Sequence, residues 1–482
     1  MSAIGGSSNA APGGGVNPGR HGGRPGGMPR WRALSLAITG AAALGGCALY
    51  HPLPLARGPD LVGALSGLRT QVPPLGPGEV PRRIVTSRPL GLGDIGLLAV
   101  LNDPALREEA GEMDLAQAGL LQASLLPNPS ASVSYEAFLG GIGTSAWAAS
   151  LTEDLKSVLT YHTRVKSAHL LLRQVNADLL WREWQVAQRA RLLALALYWG
   201  HTSIDLSRRE AKVIDLEVRQ ARAAARSGAL ALSALAPLLA AKAAADQSLA
   251  GLSLAQMRNW QALDALLGLE PSVRFAIAAP RLPPPPTRLG PLLATLPDRR
   301  PDLVALKLGY RSADEGVRTA ILGQFPAFAL GGIWEDDNGN VRNAGPVANF
   351  DVPLFDRNQG QVAQARATRL ALHERYQARL DQAVGAVKGL AAQIRRLRGE
   401  LRSAQRAAAA AAALSSAARQ AYAQEAIDQR ALTDYETTAL ERELEAVALA
   451  RSLGAADIVM TVELGEGLPQ TRIAGPESKR KS

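Results

Sequence analysis

Between Lys156 and Ala225 the chain runs for seventy residues without a proline, and Gly200 is the only glycine in the run. At 1.5 Å per residue a helix of that length is a rod of roughly 100 Å, against a usual length of ~11–12 residues. Apolar residues recur every seven positions at Leu172, Leu179, Val186 and Leu193. The register then moves by four to Leu197, Ile204, Ala211 and Val218, a stutter that locally unwinds a coiled coil. A second seam runs through Val387, Leu390, Ile394, Leu397, Leu401 and Ala404 and ends in the run Ala407–Ala413, whose small side chains let neighbouring helices come close. No single core buries such rods along their length, so they require other helices beside them.

The sequence repeats itself. Pro104-Ala105-Leu106 has a counterpart in Pro301-Asp302-Leu303, at an offset of 197, and Pro129 and Val133 answer to Pro326 and Leu330 at the same offset. Leu155 and Ala168 answer to Leu354 and Ala367 at 199, and Leu230 and Leu235 to Ile427 and Leu432 at 197 again. Each half therefore reads as helix, strand, hairpin, strand, very long helix, turn and long helix, as internal repeats of one unit do. Pro280 and the run Pro283–Pro286 mark a stiff break between them.

Four short strands precede the long helices. Ser130–Tyr135 and Ala146–Leu151 form the first pair, and Ala327–Trp334 and Val347–Val352 the second. The first pair turns through Gly140-Gly141. The second turns through Asp336–Asn340, where Asn338-Gly339 is a hairpin signal. That acidic loop lacks the ligand spacing of a calcium site. Tyr135, Phe138, Trp147, Trp334, Phe350 and Phe355 lie near the strand ends, where outer-membrane barrels carry aromatic girdles. Four strands cannot close a barrel, and an open edge in lipid leaves backbone groups unpaired at several kcal/mol each. If they span a membrane, several chains share one barrel.

The N-terminus reads as a targeting segment. Arg30 and Arg32 precede an apolar stretch, Ala33–Leu44, too short to span a bilayer. Leu44-Gly45-Gly46-Cys47 follows, with the one cysteine of the chain. This resembles the lipobox of bacterial lipoproteins, whose thiol takes a diacylglycerol before acylation. Ala48 follows, where an aspartate would suggest retention at the inner membrane. Met28 reads as an alternative start. The expected organisation is a signal peptide over 1–46, a lipidated segment over 47–88, a first repeat over 89–279, a Pro-rich linker over 280–288, a second repeat over 289–460 and a flexible basic tail over 461–482.

The formal net charge of +10 is spread along helix faces and at the ends, and aromatics make up 4% of the chain. No stacking platform for nucleic acid accompanies the charge. The six histidines include His162 and His169, seven apart on one helix face, but none falls in a metal-binding pair. No phosphate loop and no nucleophile elbow occur. No catalytic, cofactor or metal site is expected.

In this order, the phrases Leu101-Asn102-Asp103-Pro104-Ala105-Leu106, Leu126-Pro127-Asn128-Pro129, Arg299-Arg300-Pro301-Asp302-Leu303, Phe325-Pro326 and Val352-Pro353-Leu354-Phe355-Asp356 resemble the TolC-like outer membrane efflux protein family. The likeness is to its lipoprotein branch, which works with resistance-nodulation-division pumps. It covers about residues 90 to 460. It implies a mainly α chain with a membrane β-barrel part: a duplicated β-hairpin plus long coiled-coil helical hairpins, assembled as a homotrimeric α/β-barrel duct anchored by lipid in the outer membrane. The duct would meet a periplasmic adaptor protein and an inner-membrane pump. The resemblance places adaptor contacts at the hairpin tips, Gly228 and Leu230 in the first half and Ala426 and Ile427 in the second. It places a gate ring near the same tip, with Asp434 at the matching position and Asp428 and Glu425 close by. Glu425 stands where the family carries a glycine, and a helix-capping role competes with the ring for Asp434. Two other readings are a periplasmic adaptor, which should show one hairpin between two halves of a small β-domain, and a structural coiled-coil lipoprotein without a pore.

Overall fold

Proline, capping carboxylates and left-handed turns set the ends of the long elements. The computed structural model describes residues 50–74, 80–281, 288–339 and 341–466. The chain divides into two units, Met1–Pro59 and Asp60–Ser482. In the first unit the described residues, 50–59, form no helix or strand. Cys47, the targeting segment, the run Pro283–Pro286 and the tail from 467 lie outside the described residues.

In the second unit, two-residue strands β1 (Gln71–Val72) and β2 (Arg82–Arg83) pair beside helix α1 (Leu92–Asn102). Helix α2 (Pro104–Ser124) follows, with Pro104 in its first turn and Asp103 accepting from the Ala105 amide. Strands β3 (Ser130–Glu136) and β4 (Ala146–Asp154) lead into α3 (Leu155–Arg226), 72 residues long. Its N-cap is Asp154, which accepts from the Lys156 amide at 2.9 Å and satisfies one of the free donors of the first turn. A tight turn joins α3 to α4 (Leu232–Leu267). The second half gives α5 (Gly290–Arg299), α6 (Pro301–Leu322), β5 (Phe328–Asp336), β6 (Arg342–Phe350), α7 (Gln359–Ala423) and α8 (Gln429–Glu463). The repeat is structural as well as textual: α2 and α6 both open on proline, and α4 and α8 both begin 197 residues apart.

Three expectations shift. Strand β6 begins at Arg342, five residues before Val347, and stops at Phe350, leaving Val352 exposed. Leu354 is not the partner of Leu155 at a helix start. Pro353 and a left-handed Asn358 (φ 60°) hold 351–358 out of regular structure, so α7 starts only at Gln359. At the other end α8 runs past residue 460 to Glu463, Leu464 is fully buried, and Glu466 pairs with Arg299 at 3.0 Å.

The four strands make one antiparallel sheet in the order β3-β4-β5-β6. Below it α2, α3, α6 and α7 pack side by side in the corresponding order. The largest core lies at mid-α3, where Ala190, Ala194, Leu195 and Leu197 meet Ile95 and Leu98 of α1, Leu263 and Leu267 of α4, and Ile458 of α8. The register change between Leu193 and Leu197 falls inside that core. Gly200 is explained next to it: a Cβ there would collide with Gln256 of α4, whose side-chain amide donates to the Leu197 carbonyl at 3.1 Å.

At the start of α6, Arg300 is 1% exposed. Its guanidinium grips both oxygens of Asp302, at 3.0 and 2.8 Å, bonds Glu463 of α8, and lies 4.8 Å from the Trp181 ring centre on α3. Arg379 of α7 donates to the same Asp302 at 2.7 Å. The buried Arg300–Asp302 pair thus joins α6, α7, α8 and α3. Burial alone would raise Asp302, but the hydrogen bonds and charges of Arg300 and Arg379 hold it below the usual carboxylate range.

Candidate functional site

The sheet has two chemically different faces. Alternation puts Ala131, Val133 and Tyr135 of β3 beside Trp147, Ala149 and Leu151 of β4. The same face continues through Phe328, Leu330 and Trp334 of β5 to Phe350, Ala348 and Ala344 of β6, with Glu153 opposite Leu330 and Asp336 opposite Trp147 as its charged members near the two ends. This apolar face is exposed: Val133 is 79% accessible and Phe350 64%. Tyr135, Trp147 and Trp334 line its loop end, and Phe328 and Phe350 its helix end. Six residues of strand separate Trp334 from Phe328, about 20 Å at 3.3 Å per residue, close to the ~25 Å apolar band of an outer-membrane barrel. The opposite face carries Ser130, Ser132, Ser134, Ser150, Thr152 and Asn349, with Ser132 and Ser150 hydroxyls 2.8 Å apart. Both edges, β3 and β6, lack a partner strand among the described residues. The acidic loop is a hairpin tip: Asp337 Oδ1 accepts from the Gly339 and Val341 amides at 2.8 and 2.9 Å.

At the far end of the long helices two turns close the hairpins with matching geometry. Gly228 has φ 76° and Glu425 φ 58°, 197 residues apart. Ala229 N donates to Ala224 O at 2.9 Å, and Ala426 N donates to Ala421 O at 2.8 Å. Both are left-handed helix ends in which an amide reaches back five residues. Gly228 and Ala426 are exposed, and Leu230 and Ile427 half-buried.

The three acidic residues expected here separate into different roles. Asp428 caps α8, accepting from the Ala431 amide at 2.8 Å. Asp434 is exposed in the second turn of α8, and Glu425 sits in the turn itself. A fourth carboxylate joins them: Glu217 of α3, only 8% exposed. Burial raises its pKa first, then the charges of Asp434 and Asp428, against the opposing pull of Arg430. The charges of Asp434 and Asp428, both at the start of α8, thus act on Glu217 of α3. Glu217 was not singled out from the sequence. Its signal was present, because it shares the inward stripe with Ile214, Val218 and Ala221, all buried, where a charge is out of pattern.

Nearer the sheet, α3 and α6 enclose an open groove of roughly 630 Å³ lined in part by His162, His169 and Tyr310. Both histidines are exposed. His373 of α7 stands 6.2 Å from Tyr310, ring centre to ring centre. Among the described residues no group of three histidine, cysteine or carboxylate side chains is arranged to hold a metal. No helix among them is long and apolar enough to cross a membrane.

No protein-family model matches the chain. The cobalt-zinc-cadmium resistance protein CzcC of Cupriavidus metallidurans is 27% identical over 329 residues, covering 66% of this chain and 75% of that protein. The open-state MtrE outer membrane channel of Neisseria gonorrhoeae superposes with a TM-score of 0.65 at 16% identity, covering 84% of this chain and 97% of that one. The outer membrane protein VceC of Vibrio cholerae superposes with a TM-score of 0.63 at 18% identity, covering 78% and 97%.

Proposed function

On the premise that this chain is a TolC-like outer-membrane efflux protein, the family whose fold it has, we propose that three copies form the exit duct of a tripartite efflux system. Small molecules then leave the cell passively through it. The carrying observation is the four-stranded sheet, apolar on one face and polar on the other, with both edges open, above helical hairpins roughly 100 Å long. Three such sheets joined edge to edge give twelve strands and turn every apolar face to lipid. The three polar faces then line water, and the hairpins below continue the passage. The alternatives fit less well. An adaptor needs one hairpin between halves of a β-domain, whereas this chain carries two hairpins, each preceded by its own strand pair. A coiled-coil lipoprotein without a pore has no use for a two-faced sheet.

The tips belong to the same reading. Gly228, Leu230, Ala426 and Ile427 form the end that an adaptor contacts, and an inner-membrane pump loads the duct through it. Asp434, with Asp428 and Glu425, surrounds the axis there as three copies each. Cys47 carries the lipid that anchors the N-terminus in the outer membrane.

The assembly is tested by placing cysteines on the two edges, Ser132→Cys on β3 and Val347→Cys on β6, with neighbouring positions to scan register. Oxidation in outer-membrane fractions should link chains into dimers and trimers only when both edges carry a thiol. A product confined to one chain, or a chain that stays in the soluble fraction as a single copy, would overturn the duct.

A further inference from the structure

The groove between α3 and α6 is built around cations whose partners do not balance them. Lys166 and Arg173 enter from α3, and Arg311 and Arg318 from α6. The lining has two carboxylates, and both are already engaged. Glu315, 4% exposed, accepts from Lys166 Nζ and Arg318 Nη1, each at 2.8 Å. Asp314 accepts from Arg318 at 3.1 Å and from Arg369 of α7 at 2.8 Å. Arg173 and Arg311 have no side-chain hydrogen bond and no ion pair among the described residues.

These two arginines lie at neighbouring levels of the groove. The helices run antiparallel, and their heights are pinned where the Ser167 and Ser312 hydroxyls meet at 3.0 Å and where Gln174 covers Gly309. Arg311 adjoins Ser312 and Arg173 adjoins Gln174, so the two guanidinium groups enter the groove within one to two helical turns of each other, at 5.4 Å per turn. Tyr310 sits beside Arg311, and Leu170 and Val165 continue the wall with apolar surface. His169 adds a ring with hydrogen-bonding nitrogens at the rim. A guanidinium fork reads a carboxylate or phosphate by two parallel hydrogen bonds, and a flat apolar body gains from burial against the tyrosine face. In an assembly joined at the sheet edges the groove would lie away from the junctions, because α3 and α6 are the inner pair of the four-helix layer and α2 and α7 are its flanks.

We propose that this groove is a binding site for organic anions: a carboxylate, sulfonate or phosphate carried on a planar apolar body, held by Arg173 and Arg311. The site is defined by equilibrium binding and does not depend on transport, so its failure and the failure of the duct reading are separate results.

The test is calorimetric titration of the full-length protein, purified in detergent, with 2-naphthoate. Neutral 2-naphthamide and inorganic sulfate serve as comparison ligands. One naphthoate per chain is expected, with the amide and sulfate each at least tenfold weaker. Arg173→Gln with Arg311→Gln should weaken naphthoate at least tenfold. Arg258→Gln, on the exposed side of α4, should change nothing. Neither groove arginine has a side-chain partner among the described residues, so the thermal midpoint of the double variant in detergent should match the parent and certify its fold. Naphthoate affinity that survives the double substitution overturns the site. Amide binding as tight as naphthoate would show that charge is not read, and sulfate binding as tight would show that the apolar wall is not used; either also overturns it.

Discussion

Glu217 and Asp302 are both largely buried carboxylates, and their surroundings push them in opposite directions. Glu217 has burial and two like charges against it, so the fold disfavours its ionised form. Above the ordinary glutamate value of about 4.3 the unfolded chain is already ionised. Folding then works against the charge, and the penalty grows as pH rises through the raised native value. Glu217→Gln is therefore expected to raise the thermal midpoint at pH 8, by roughly 1–3 °C for a chain of this size. The difference should vanish below about pH 4. Tryptophan fluorescence on heating checks it, and an equal shift at both pH values would show that charge is not the cause. Asp302 is the reverse case: Arg300 and Arg379 hold it below its unfolded value. Its contribution is complete above the ordinary aspartate value, about 3.9, and is lost as pH falls through the depressed native value. Asp302→Asn leaves a buried guanidinium short of its main partner, a change that costs about 3–5 kcal/mol in comparable sites. Limited proteolysis should find α8 opening near Glu463 at lower temperature, and an unchanged cleavage profile would mean that the contact with Glu463 alone suffices.

At the scale of elements, the turns at the hairpin tips show what repetition can and cannot preserve. Gly228 tolerates φ 76° at no steric cost, while Glu425 holds φ 58° with a Cβ, a strain of about 1–2 kcal/mol for a side-chain-bearing residue. Glu425→Gly should relieve it, and amide exchange at Glu425 and Ala426 should slow about fivefold, which corresponds to ~1 kcal/mol. Faster exchange would mean that the carboxylate does something for the turn. The departure from glycine was legible in the sequence, and the surviving turn geometry was not, because hydrogen bonds back to the last carbonyls of α7 impose it. The long helices were legible for a simple reason: α3 has no proline and one glycine, and its seven-residue period reports burial directly. Strand β6 was misplaced because Pro346 breaks the apparent strand pattern, yet it sits within the ladder opposite Gly332. The Arg300–Asp302–Arg379 cluster was hidden, since its members lie up to 79 residues apart and only packing brings them together. Arg173 and Arg311 were hidden likewise: on the sequence each is one more surface arginine, and the groove exists only once α3 and α6 are side by side.

For the whole molecule, the proposed trimer would give charges and faces a meaning that one chain does not have. Asp434 is exposed on a single chain; three copies about one axis repel one another and attract cations. Asp434→Ala should then lower cation preference in planar-bilayer recordings, and unchanged selectivity would leave the residue a solvated helix position. The sheet offers the more decisive comparison, because adjacent residues of β5 would face different solvents in the proposed wall. Leu330 lies on the apolar face and is 48% exposed, and Ala329 lies on the polar face. An arginine facing lipid costs about 2–4 kcal/mol at mid-depth, falling toward the interfaces, and three chains would each bear that cost. Leu330→Arg is expected to lose outer-membrane recovery and the heat-modifiable migration of an assembled barrel. Ala329→Arg adds the same charge one residue away but points it into water. It should assemble normally and reduce conductance, since three guanidinium groups would then crowd the passage. Equal tolerance of both substitutions would mean that neither face meets lipid, and the shared twelve-stranded wall would have to be abandoned.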